Sequence, residues 1–345
     1  MPIQKFTVSR DDSVYEAWPD LVQTDSGKLI CIFTECEHHG DRNNSRIVMC
    51  ESYDRGRTWS KKRYLTEKGT RESYFNNARI SKIQGKLVVI CDKIDKDENH
   101  NSQIYLWYGD SEGTSWSEPK ILPFVGIVPE KLRVLDSGRM IIAAQFKNKE
   151  TEKLEQYLWY SDDNGENWSD RVTVAADKRY NLCEGSFLDC KNNTLVCFLR
   201  ENSRIGCDVL KVISYDGGES WSEIYTTQMD CGHRPVSGFL KDGRIMVTYR
   251  YIPGKTQNTF AAFLERESLF ETDRQKQPAI IMPIDFDRNV NADCGYTGWT
   301  QFDDGEIYVV NYIRDDADKA YIRGYSFYME DVQLPPSKNN TGGVF

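Results

Sequence analysis

Five residues of this chain, Glu184, Arg200, Arg234, Arg250 and Tyr296, are of types that act together on an anionic ligand. Guanidinium forks hold a carboxylate through paired, permanently charged hydrogen bonds that Lys does not reproduce. A carboxylate beside a phenol can take the phenolic proton as it reacts. The two arginines Arg200 and Arg250 close apolar runs, Leu195-Val-Cys-Phe-Leu-Arg200 and Ile245-Met-Val-Thr-Tyr-Arg250. A single charge at a loop end is ordinary solvated rim, but a set of ionisable residues in register at the ends of apolar strands points to a site.

The register comes from a hairpin that recurs along the chain. Turn residues Gly27, Gly85, Gly138, Asn193, Gly243 and Gly305 are each followed two positions later by Leu29, Leu87, Met140, Leu195, Ile245 and Ile307. Paired strands run antiparallel, so residues about nine before and seven after each turn return to the opposite face. Nine before stand Trp18, Asn76, Pro129, Glu184, Arg234 and Tyr296; seven after stand Thr34, Asp92, Gln145, Arg200, Arg250 and Tyr312. These residues are expected around one opening. Helix-period patterns are nearly absent, and runs such as Leu29–Phe33 and Leu87–Cys91 read as strands.

A second repeat gives the same count. Ser52-Tyr-Asp54-Arg-Gly56-Arg-Thr58-Trp59, Gly109-Asp110-Ser-Glu-Gly113-Thr-Ser115-Trp116, Ser161-Asp-Asp163-Asn-Gly165-Glu-Asn167-Trp168 and Ser214-Tyr-Asp216-Gly-Gly218-Glu-Ser220-Trp221 share the pattern S-x-D-x-G-x-T-W, with one insertion in the second copy. The Asp accepts bonds from turn amides, the Gly takes a positive φ and the Trp packs between neighbouring sheets, so these residues are turn builders and not catalysts. The pattern resembles the Asp-box, or bacterial neuraminidase repeat, of sialidases and related propellers. The tryptophans recur every 52 to 57 residues, which fits six blades in 345 residues, the last two without a box. The expected fold is therefore all-β, a six-bladed β-propeller over 1–334, followed by a loosely packed or disordered tail over 335–345.

The resemblance also implies roles. Asn181-Leu-Cys-Glu184 with Leu195–Arg200 is similar to the sialidase segment that holds the nucleophile-assisting Glu and the second carboxylate-binding Arg. Arg234, in Gly232-His-Arg-Pro-Val, resembles the third such Arg, and Arg250 is a further clamp candidate. Tyr296 occupies the place of the nucleophilic Tyr, and sialidases are an exception to two-carboxylate glycosidase chemistry. A neutral phenol avoids the repulsion that an anionic carboxylate would meet at a carbon bearing the substrate's own carboxylate. The proton donor is expected on the loop Thr34–Ser45, where Asp41 best matches the family's Asp by position and His38 and His39 are chemically able. Adjacent histidines without a clear third ligand are weak evidence for a metal, and no metal or cofactor is expected. The family's Arg-Ile-Pro, which carries the first clamp arginine, is replaced here by Ala17-Trp18-Pro19. Trp18 is either a stacking face for a sugar or a core aromatic at a blade seam.

The function this implies is an exo-acting, retaining glycoside hydrolase that removes a terminal acidic, sialic-acid-like sugar, with Arg200, Arg234, Arg250, Trp18 and Asp92 binding the substrate. Two alternatives remain at this level: a polysaccharide lyase in which Tyr296 and His39 shuttle protons on uronate glycans, and a non-catalytic carbohydrate-binding propeller. A formal charge of −9 and a pI near 5.2 disfavour nucleic acid or an anionic membrane as partner. The ten cysteines show no C-x-x-C spacing, and Cys31, Cys91 and Cys197 lie in apolar runs, so buried free thiols are expected. The opening MPIQKFTVSRDDS has no basic start followed by an apolar run, and a cytoplasmic location is the expectation.

Overall fold

All six turn residues that set the repeat adopt positive φ: 85° at Gly27, 77° at Gly85, 88° at Gly138, 58° at Asn193, 91° at Gly243 and 93° at Gly305. Gly and Asn tolerate that region, and each reverses the chain between the first and second strands of a sheet. The structure is a computed structural model that describes residues 3–96 and 101–332. The expected loose tail, 335–345, lies outside the described residues.

Six antiparallel sheets follow in chain order. Blade 1 is Tyr15–Gln23, Leu29–Cys36, Arg46–Ser52 and Arg63–Tyr64, and blade 2 contains Ser73–Phe75, Arg79–Ile83, Lys86–Asp95, Asn101–Gly109 and Lys120–Val125. Blade 3 runs through Arg133–Val134, Met140–Lys147, Leu154–Ser161 and Val172–Ala175; blade 4 through Leu182–Asp189, Leu195–Glu201, Leu210–Ser214 and Tyr225–Thr226. Blade 5 is Gly232–Phe239, Ile245–Tyr251, Asn258–Leu264 and Ala279–Phe286. Blade 6 takes Thr297–Gln301, Ile307–Ile313 and Tyr321–Phe327 from late in the chain and its outer strand, Gln4–Ser9, from near the start. That pairing of Gln4 with Ser326 and Thr7 with Arg323 closes the ring. The architecture is a six-bladed β-propeller.

The second strand of each blade is buried on both faces, as its near-continuous apolar sequence requires, and packs into the seams between blades. Asp-box residues lock the outer turns. Asp54 accepts from Thr58 N at 2.9 Å and Thr58 Oγ1 at 2.6 Å, while Ser52 Oγ accepts from Gly56 N at 2.7 Å. Gly56 combines a φ of 82° with a close approach to Tyr308 of blade 6, where a Cβ would stand 2.2 Å from the ring, so this position admits only Gly. Trp59, Trp116 and Trp221 each donate Nε1–H to the box glycine carbonyl at 3.1 Å. All ten cysteines are free thiols, eight of them buried.

One backbone device matters most for the site. The first strands of blades 1, 4 and 5 each break register, between Ala17 and Asp20, Cys183 and Ser186, and His233 and Val236. The residues inside these bulges, Trp18, Glu184 and Arg234, have φ of 56°, 51° and 51°. Such bulges re-aim a side chain at the cost of local strain. In blade 6, Gly295 just before Tyr296 takes φ 97° and packs on Arg250, where an added Cβ would stand 2.5 Å from that residue's Cβ.

Candidate active site

The columns read from the hairpin repeat do converge. Trp18, Asn76, Glu184, Arg234 and Tyr296 from the first strands, and Thr34, Asp92, Gln145, Arg200, Arg250 and Tyr312 from the second, are all under 9% exposed. At the centre, Tyr296 Oη donates a short hydrogen bond to Glu184 Oε1. Arg200 Nη1 reaches Glu184 Oε2 at 2.8 Å and Tyr296 Oη at 3.2 Å, and its Nη2 donates to Asn202 Oδ1 at 2.6 Å. The guanidiniums of Arg250 and Arg234 lie 4.8 Å and 5.2 Å from the centre of the Tyr296 ring.

These contacts set the two groups apart electrostatically. Burial opposes ionisation of Glu184, but the charges of Arg200 and Arg234, with hydrogen bonds from Arg200 and Tyr296, outweigh it and hold the carboxyl at about 2. Burial and the Glu184 charge push the Tyr296 phenol up to about 12, although three arginines pull the other way. The resting pair is thus a carboxylate accepting from a neutral phenol.

Arg234 is wholly buried, yet none of its three guanidinium nitrogens has a hydrogen-bond partner among the described residues; its nearest charge is Glu130, at 3.5 Å. Arg79 of blade 2, also buried, leaves Nε and Nη2 unpartnered, with Asp20 at 3.7 Å and Glu130 at 3.9 Å. Buried guanidinium donors normally find acceptors, so these two forks are open to an anionic ligand. Lys131 lies beside them and is committed to Asp20 at 2.9 Å. Arg250 is more fully used: Nε donates to the Cys294 carbonyl, and Nη2 to Tyr312 Oη at 2.7 Å.

Around the mouth, Asp293 gathers three donors: Tyr15 Oη, Tyr312 Oη at 2.8 Å and His39 Nδ1 at 2.6 Å. Burial works against its charge, and His39, Arg250 and Tyr15 hold the carboxyl far below its ordinary range. His39 is 44% exposed and its ring meets Trp18 edge-on at 5.2 Å. Asp41, two residues on from His39, bonds its side chain outside this group. Arg71 clasps both its oxygens, from Nε at 2.9 and 3.1 Å and from Nη2 at 2.7 Å, and that bonding holds its carboxyl at about 2.

Trp18 is 2% exposed and is enclosed by Tyr15, His39 and Tyr312, with the Arg42 guanidinium 3.5 Å from the ring centre. Its present contacts are those of a seam aromatic. Asp92 is fully buried, bonded by Ser102 Oγ at 2.8 Å and Asn76 Nδ2 at 3.4 Å, and burial without a cation pushes its carboxyl up to about 6. Sequence reasoning missed Asp293, Glu130 and Arg79. Asp293 and Glu130 sit near column positions, three before Tyr296 and one after Pro129, but off the hairpin count; Arg79, three beyond Asn76, carried no signal.

Comparison with known proteins follows this geometry. A family model described as a BNR repeat-like domain matches residues 67–309. An anhydrosialidase of Macrobdella decora is 28% identical over 132 residues, a match covering 34% of this chain and only 16% of that protein. Among solved structures, a protein of unknown function from Dyadobacter fermentans superposes with a TM-score of 0.79 at 18% identity, over 94% of this chain and 98% of that one. Trypanosoma rangeli sialidase in complex with sialic acid superposes with a TM-score of 0.71 at 17% identity, over 96% of this chain and 60% of that one.

Proposed function

This chain belongs to the BNR repeat-like domain family, with sialidase-like glycosidases among its relatives, and from that premise we propose that it is a retaining exo-glycosidase for a terminal acidic sugar. The observation that carries the reading is the buried, hydrogen-bonded Tyr296–Glu184–Arg200 cluster beneath guanidinium donors that lack acceptors.

In this reading the substrate carboxylate docks on Arg234 and Arg200. Its negative charge offsets the field that keeps Glu184 at about 2, so binding itself raises the basicity of Glu184. Tyr296 Oη then attacks the anomeric carbon as its proton passes to Glu184; the glycosidic C–O bond breaks and the leaving oxygen takes a proton. We assign that proton to His39 and not to Asp41. His39 is fixed through Nδ1 on Asp293 and faces the mouth beside Trp18, whereas Asp41 is held ionised by Arg71. In the second half-reaction His39 takes a proton from water, the hydroxide oxygen bonds to the anomeric carbon, and Glu184 returns its proton to the departing Tyr296 oxygen. A lyase reading leaves Glu184 without a task, and a purely binding role leaves the strained Glu184 and Arg234 bulges unexplained.

The test begins with a screen of chromogenic glycosides of sialic, ulosonic and uronic acids. On the best substrate, Tyr296→Phe and Glu184→Gln should each lower turnover by about a hundredfold or more, and the double variant by much less than the product. Near-normal turnover in Tyr296→Phe would overturn the mechanism.

A further inference from the structure

Beside the mouth, between blades 4 and 5, lies a recess of about 440 Å³ lined by Arg204, Cys231, His233, Lys255 and Gln257 with adjoining backbone. That volume falls within the range of roughly 300–1,000 Å³ for small-ligand sites. We propose that this recess is an anion subsite holding a second acidic group of the substrate, in addition to the carboxylate held by Arg200 and Arg234. The proposal rests on the glycosidase reading of the neighbouring site.

Three features support it. Its lining contains no Asp or Glu, although the chain as a whole carries a formal charge of −9. Both cations in it, Arg204 and Lys255, lack an ion-pair partner among the described residues, unlike Arg71, Arg139, Arg274 and Arg323, which all pair with carboxylates. The wall shared with the central site is His233, 5% exposed, whose Nδ1 has no hydrogen-bond partner. Burial and the charges of Arg200 and Arg250 push the His233 imidazole down to about 3, so at neutral pH it is an uncharged hydrogen-bonding group. His233 is paired in register with Arg250 and precedes Arg234, so the recess and the carboxylate clamp share one strand. A recess bearing two cations, walled by the strand that also carries Arg234, fits a glycan with two acidic groups: the first meets the arginines at the axis and the second reaches Arg204 and Lys255.

The probe is galactose 6-sulfate, with neutral galactose as control, titrated while the His233 ring is followed by NMR in a protein with four histidines. The sulfated sugar should shift His233 saturably and galactose at least ten times more weakly. Arg204→Gln/Lys255→Gln should raise the Kd for the sulfated sugar about tenfold or more, as expected for losing charge-assisted bonds, while Lys241→Gln, beside the blade 5 turn at the opposite face, leaves that Kd within about twofold. An equal response to galactose, an unchanged Kd in the double variant, or an equal rise in Kd in Lys241→Gln would overturn the subsite. The readout uses no turnover, so failure of the glycosidase reading and failure of the subsite are separately visible.

Discussion

Replacing Asp92 by Asn should stabilise the protein at alkaline pH and leave its stability unchanged at acid pH. Asp92 is fully buried with no cation beside it; burial raises its carboxyl from the ordinary 3.8 to about 6 against the hydrogen bonds of Ser102 and Asn76. A raised folded-state value means the folded chain holds this proton more tightly than the unfolded chain. The stability contribution is therefore complete below about pH 4 and is lost as pH rises through about 6. The difference between the two values corresponds to about 3 kcal/mol at pH 8. Asn fits the site: its carbonyl can accept from Ser102, and its amide can donate to Asn76 Oδ1, which has no partner. With an unfolding entropy of roughly 2.1 cal/mol/K per residue, 3 kcal/mol is a rise in Tm of about 4 °C. The assay is thermal or urea unfolding of both proteins from pH 4 to pH 8, with kcat/KM measured on the same samples. Equal stability at pH 8, or a gain confined to pH 4, would refute the electrostatic reading. A gain at pH 8 accompanied by lost turnover would show the charge is kept for substrate binding.

Three further outcomes are expected. His39→Ala and Asp293→Asn should each cut turnover of glycosides with poor leaving groups by about a hundredfold and spare substrates with an activated phenol, whereas Asp41→Asn should change neither class; the reverse ranking in that comparison would return the acid role to Asp41. Arg234→Lys keeps the charge and loses the fork, so kcat/KM should fall about ten- to a hundredfold, measured as initial rates at low substrate concentration. With Ala17 in place of the first clamp arginine, common sialosides should be cleaved at least tenfold less efficiently than another acidic glycoside in the same screen.

The propeller was legible because its signals are local and repeated. A turn that needs positive φ recurs six times at fixed distance from a buried strand, and an Asp that accepts from a turn amide recurs four times. Counting from those turns also located Glu184, Arg200, Arg234, Arg250 and Tyr296, because every blade returns its strand ends to one face. Selection among the acids was less visible. Asp41 matched by loop position, but its partner Arg71 stands thirty residues away, and the partner of His39, Asp293, some 250 residues away; pairings between separate loops leave no local pattern. Trp18 had two readings because an aromatic suits both a platform and a seam, and only its enclosure by Arg42, His39 and Tyr312 separates them.

The central claim is that Tyr296 forms a covalent bond to the sugar. The most direct test uses the best acidic glycoside from the screen, rebuilt with fluorine beside the anomeric carbon to slow breakdown of the intermediate and with a good leaving group to speed its formation. After incubation and proteolysis, mass spectrometry should find the fluorosugar on the peptide containing Tyr296, with no adduct in Tyr296→Phe. A labelled residue other than Tyr296, or steady turnover of that analogue with no adduct trapped on rapid quenching, would contradict the account.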